Sequence, residues 1–125
     1  MDITPVIPGT SYQINRYGNF KFTLNTDIVV EGNLLIMSDQ YWPWDRGTKI
    51  TAQNLEPLLK HQEEIEILII GSPHISEKKE IDAIKRDLSP HAYSIDFMDT
   101  GAACRTYNVL LSEGRHVAAA LVAIE

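Results

Sequence analysis

The sequence predicts an α/β domain with an antiparallel annexe, and three features carry that prediction. The first third alternates apolar and polar residues between glycine-marked turns, as antiparallel strands do. From about Thr51, segments of helical spacing alternate with apolar runs of strand length, a grammar that requires a parallel sheet with right-handed crossovers. Two runs, Ile65–Ile70 and Val117–Ile124, show no alternation, as expected of neighbouring strands covered on both faces. N-terminal antiparallel hairpins and a C-terminal parallel βαβ sheet packed by helices follow. A length of 125 residues suits one domain with one core, spanning 1–125.

Taken in order, Tyr12 and Ile14 alternate with polar neighbours, Tyr17-Gly18-Asn19 supplies a turn, and Phe20, Phe22 and Leu24 alternate with Lys21 and Thr23. Ile28–Val30 is expected to meet Leu34–Met37 across Glu31-Gly32-Asn33, a second hairpin with glycine at its tip that extends one meander. Tyr41-Trp42-Pro43-Trp44-Asp45-Arg46 reads as a loop. A first helix carries Leu55, Leu58 and Leu59. Pro57 is tolerated only in its first turn, so either Thr51 opens a separate short turn or Asn54 is the cap. Ser76 is placed to cap a second helix with Ile81, Ile84 and Leu88 inward, stopped by Ser89-Pro90. Tyr93, Ile95 and Phe97 alternate with Ser94 and Asp96, which suits a strand near an edge. Asp99-Thr100 opens a third helix with Ala103, Tyr107, Leu110 and Leu111 on its inner face, and Gly114 closes it.

Composition narrows the function classes. A hydrophobic share of 44% with 22% charged residues is ordinary for a globular chain. The net charge of −6 opposes non-specific binding to nucleic acid or anionic membrane, both polyanions. The basic pairs Lys78-Lys79 and Lys85-Arg86 each sit in an acidic stretch. A lone cysteine, Cys104, excludes an intramolecular disulfide and fits a reducing compartment. Met1–Pro5 lacks the basic and apolar segments of a secretory signal, and Val117–Ile124 is shorter than the roughly 20 residues a membrane span needs. A cytoplasmic protein without direct membrane insertion is expected.

Chemistry has few places to reside. Asp99 to Asn108 starts a helix just after a strand, where open α/β sheets form ligand crevices, and Arg105 adds positive charge to the free N–H groups there. Gly71-Ser72-Pro73-His74 sits at the end of a buried strand but has one glycine, unlike a phosphate-binding loop. A small-molecule or anion crevice would therefore use Ser72, Asp99, Thr100 and Arg105. No histidine lies close in sequence to activate Cys104, which is expected at the margin of the inner helical stripe as a small hydrophobe with a raised pKa. The histidines His61, His74, His91 and His116 lack the spacings of a zinc site, and His61 and His91 read as surface residues. Glu63, Glu64 and Glu66 read as a solvated connection. No metal, cofactor or catalytic set is predicted, so an enzyme is the less favoured class. Trp42 and Trp44, beside Arg46, are candidate anchors for a protein partner, with at least one expected to fold back onto the core.

The run Asp99-Thr100-Gly101-Ala102-Ala103-Cys104-Arg105-Thr106-Tyr107-Asn108-Val109-Leu110, followed by Glu113-Gly114-Arg115-His116-Val117-Ala118-Ala119-Ala120-Leu121, resembles the signature of the Mth-like family of domains. The likeness extends to the hairpins at Gly18 and Gly32, the Trp42-Pro43-Trp44 segment and the strand ending at Gly71. That family includes the mitochondrial complex I assembly factor 3 and a vertebrate protein associated with adipogenesis. The resemblance implies a three-layer domain and a non-enzymatic interaction role, that of helping to assemble a respiratory or other membrane-associated complex through a protein partner. It also places Arg115 in a recurrent Glu-Gly-Arg unit, where a structural role beside Glu113 or Asp99 is expected.

Overall fold

Alternation in the first third produces a three-stranded antiparallel sheet. The computed structural model describes residues 11–45, 50–73, 78–88 and 93–125. The expectations for Arg46, His74, Ser76, the Ser89-Pro90 stop and His91 lie outside the described residues. Strands β1 (Ile14–Gly18), β2 (Lys21–Leu24) and β3 (Val29–Glu31) pair in chain order, with Tyr17 opposite Phe22 and Phe22 opposite Val30. Those three side chains, with Ile14 and Leu24, face inward.

The second expected hairpin does not form. After Gly32, whose φ of +81° favours glycine, the chain leaves this sheet, and Leu34–Met37 becomes β4 of a second one. All four β4 side chains are buried, so both of its faces are covered. A meander strand with one wet face would not need that. β5 (Gln40–Pro43) pairs with β4, so the expected loop at Tyr41-Trp42-Pro43 is a strand. Trp44 N–H donates to Asn33 O. Ladder alternation from that bond turns Pro43 toward the open edge, where its missing N–H blunts strand addition.

The remaining elements complete a five-stranded mixed sheet. Helix α1 is short (Glu56–Leu59), with Pro57 in its first turn. Thr51 Oγ1 accepts from Asn54 N while Asn54 Oδ1 accepts from Thr51 N, so Thr51 opens a separate turn before the helix. β6 (Ile67–Gly71), α2 (Lys78–Asp87), β7 (Ser94–Met98), α3 (Thr100–Ser112) and β8 (Val117–Leu121) follow. The sheet order is β5-β4-β8-β6-β7, with β6 parallel to both β7 and β8 and β4 antiparallel to β8. β7 lies at an edge, as its alternation implies. One sheet face is covered by α3 and the three-stranded sheet, and the other by α1 and α2. Three layers result, and the mixed α/β class read from the sequence is the one observed.

The two uninterrupted apolar runs are adjacent parallel strands, with Leu68 opposite Ala118 and Gly71 opposite Leu121. Leu68 and Leu121 are buried on opposite faces of the sheet. Truncating either to alanine should cost ~2–5 kcal/mol by lost transfer energy and cavity formation. Chemical denaturation of the two variants checks this, and near-neutral results at both sites would contradict the pairing.

Candidate functional site

The helix start of α3 sits close on the end of β6. A Cβ at Gly71 would lie 2.6 Å from Ala103 Cβ and 3.2 Å from Thr100 Cα, so only glycine allows this approach. Asp99 caps the helix through Oδ1, which accepts from Ala102 N at 2.9 Å. Thr100 is buried and its Oγ1 donates to Val122 O at 2.8 Å. Ser72 is also buried, with its N–H on Met98 O at 3.0 Å. Ser72, Asp99 and Thr100 therefore gather where β6 and β7 end, as their positions in sequence imply. Arg105 does not join them. Its Nη1 donates to Tyr17 OH at 3.2 Å. Tyr17 in turn lies over Gly101, where a Cβ would come within 2.6 Å of its phenolic oxygen. Hollows of about 470, 670 and 260 Å³ occur among the described residues, and none is lined by Ser72, Asp99, Thr100 or Arg105.

The rest of the run faces inward on two sides. Asn108 Oδ1 accepts from Ile14 N at 3.0 Å, and its Nδ2 donates to Ile14 O at 2.8 Å, both buried. Tyr107 OH donates to Tyr12 O at 2.8 Å, and burial pushes its phenol well above the ordinary range. α3 is thus bonded to the start of the three-stranded sheet by two successive side chains. Cys104 is fully buried, not at the margin of a stripe, because the helix is covered by the five-stranded sheet and also by β1. Burial pushes the thiol up to about 12, outweighing the nearby Arg105 charge. Native protein should label slowly with a maleimide at neutral pH and rapidly once unfolded. Fast native labelling would contradict the burial.

α3 ends in a Schellman turn: Gly114 N–H donates to Leu111 O and Arg115 N–H to Leu110 O, with Gly114 at φ +77°. Arg115 does not pair with Glu113 or Asp99. Its Nε and Nη2 lie 3.4 and 3.3 Å from the Glu66 carboxylate, because β8 enters the sheet alongside β6. The His116 N–H and Arg115 hold the Glu66 carboxyl below its usual range. Glu66 is therefore a specific partner in what read as a solvated connection. Both side chains remain about half exposed, so the pair adds little stability.

The two tryptophans diverge in role. Trp44 is folded onto the core, with Nε1 donating to Asn54 Oδ1 at 3.4 Å. Trp42 is half-buried and stacks on His61 at 5.9 Å between ring centroids. His61 also contacts Glu64 at 3.0 Å and Gln40 at 3.2 Å, so it is built into the β5 border instead of standing free. Among the described residues no group of three or more His, Cys, Asp or Glu is placed to hold a metal ion, and no helix is long and apolar enough to cross a membrane.

Comparison with known proteins places this architecture. Residues 14–122 match the family described as protein of unknown function (DUF498/DUF598). The NADH dehydrogenase [ubiquinone] 1 alpha subcomplex assembly factor 3 of Xenopus tropicalis is 30% identical over 111 residues, 87% of this chain and 60% of that protein. Its Drosophila melanogaster counterpart is 27% identical over 116 residues, 57% of its length. The chain thus spans about 60% of the length of these curated relatives. Among solved structures, a protein of Bartonella henselae described as an outer membrane protein is 34% identical with a TM-score of 0.77, over 94% of this chain and 98% of that one. A Bordetella pertussis protein described as a Mth938-like domain shares the fold, with a TM-score of 0.71 at 24% identity over 98% and 92% of the two chains.

Proposed function

The chain belongs to the family of proteins of unknown function (DUF498/DUF598), and from that membership we propose that it is a non-enzymatic interaction domain serving assembly of a respiratory or other membrane-associated complex. The names of the curated relatives support the assembly role. The observation that carries the non-enzymatic part is the internal use of the signature side chains. Asp99 caps its own helix, and Thr100, Arg105, Tyr107 and Asn108 each bond another part of the fold. The thiol among them has its pKa raised, the opposite of an activated nucleophile. A crevice formed by Ser72, Asp99, Thr100 and Arg105 would require Arg105 to leave Tyr17, and nothing in the geometry favours that. Partner contact is instead expected on the surface, with the half-buried Trp42 one contributor and Trp44 a support behind it. A reducing location such as the cytoplasm agrees with one buried, unpaired cysteine.

Deleting the gene in its native cell and resolving membrane complexes on native gels tests the proposal. Assembled respiratory complex should fall and subassemblies accumulate, both restored by the wild-type chain. Unchanged complexes across the membrane fraction would overturn the assembly role.

A further inference from the structure

Phe20 is held in a conformation that its own side chain disfavours, and more than half of its surface faces solvent. The strand alternation counted Phe20 inward with Phe22 and Leu24, but it falls in the turn between β1 and β2. Asn19 and Phe20 have φ of 53° and 57°, the pattern of a turn dominated by Asn, Asp and Gly. A bulky residue there is a steric outlier, because its side chain crowds the backbone. Two backbone bonds keep it in place. Phe20 N–H donates to Ile124 O, and its carbonyl accepts from Gly32 N, both at 2.8 Å. Yet the residue is 58% exposed, the highest value among the exposed large hydrophobics of the described residues. Backbone preference does not select phenylalanine at this position, and burial accounts for less than half of its surface. Strain and exposure point independently to a use outside the fold, since such outliers gather at binding sites and aromatics make interface anchors.

The surroundings indicate what kind of partner fits. Gly18, Asn19 and Lys21, which flank Phe20, line the hollow of about 470 Å³, and the exposed Val29 forms part of its wall. Arg16 and Lys21 share that lining with Asp27 and Glu125. An apolar projection beside polar groups of both signs matches a folded protein surface, where a desolvated anchor is ringed by polar pairs. It does not match an anionic bilayer or nucleic acid, which the nearby carboxylates and the net charge of −6 would repel.

We propose that Phe20 is the anchor by which this domain engages a folded protein partner, one offering an apolar, ring-sized pocket with a border of mixed charge. The inference rests on the interaction-domain reading above and names its contact residue on this chain.

Asparagine suits the turn, so Phe20→Asn removes the ring while the melting temperature stays level or rises, and lost binding cannot be ascribed to misfolding. A benzophenone amino acid is placed at position 20 in the native cell, with Val109, 52% exposed on α3, as control. The crosslinked protein is identified, purified and titrated with wild type, Phe20→Asn and Val109→Asn. The expected result is an adduct from position 20 only, and an affinity loss of about tenfold or more for Phe20→Asn alone. A partner that binds Phe20→Asn as tightly as wild type overturns the anchor while the interaction reading stands. An adduct only with a second copy of this chain, or flotation of wild type but not Phe20→Asn with phosphatidylglycerol vesicles, overturns the choice of partner. Failure of wild type to crosslink or co-purify with any protein overturns both readings.

Discussion

Replacing Asn108 with leucine is expected to lower stability by roughly 2–5 kcal/mol, although leucine is apolar and of similar size. The substitution strands the N–H and the carbonyl of Ile14, each now bonded to the Asn108 amide in the buried layer. Each unsatisfied buried group costs about 1–3 kcal/mol. Asn108→Asp should be at least as harmful, because it keeps an acceptor for Ile14 N but sets a carboxylate against Ile14 O without charge compensation. The loss should also be local in origin. Native-state hydrogen exchange should show β1 and β2 opening together at lower free energy than β6 and β8, whose ladders do not depend on Asn108. A leucine variant that unfolds at the wild-type midpoint, with the Ile14 amide still protected, would show that the amide clamp is dispensable.

Gly71→Ala is expected to be the second severe change, with a loss of at least ~1–3 kcal/mol, the range for overpacking a close contact. The new methyl group would lie 2.6 Å from Ala103 Cβ, 3.0 Å from Leu121 Cδ2 and 3.2 Å from Thr100 Cα. The Thr100 neighbour is backbone, so α3 must move off the sheet. That movement pulls on Thr100 Oγ1 and Val122 O, which are bonded across the same junction. Adding Ala103→Gly removes the nearest atom and should restore part of the loss, offset by about 1 kcal/mol for glycine within a helix. Thermal and denaturant unfolding of the single and double variants measure this. Additive losses in the double variant would contradict the contact.

Local patterns carried some of this architecture and not the rest, for identifiable reasons. The inner helical face was legible because Ala103, Tyr107 and Leu111 recur at helical spacing. Asn108 was not, since a polar residue on an amphipathic helix reads as solvent-facing, and its partner Ile14 lies 94 positions away. The clue was a second stripe of small or polar residues, Thr100, Cys104 and Asn108, at intervals of four. Burial of both stripes made Cys104 a core residue. The pairing of Leu34–Met37 was misread because glycine at Gly32 suggested a hairpin tip. Four consecutive apolar residues were the contrary signal, since a strand with one wet face alternates. The alternation through Phe20, Phe22 and Leu24 holds for the last two, but Phe20 precedes β2 and lies in the turn, where the period of two no longer sets the direction of a side chain. Of the candidate crevice, the neighbourhood of Ser72, Asp99 and Thr100 was legible from strand-end topology. The bond from Arg105 to Tyr17 was not, because no local rule links residues 88 apart.

The signature run serves as architecture, and its charges are not used on a ligand or substrate. The double variant Asp99→Asn, Arg105→Gln separates these roles. Asparagine still caps α3 and the glutamine amide still offers Tyr17 a donor, so the bonds can persist while both charges are lost. The decisive measurement is the amount of assembled complex on native gels when this variant replaces the wild-type chain in its native cell. Wild-type levels of the complex that fails without the chain are expected. A stably folded double variant that leaves the complex unassembled would contradict it.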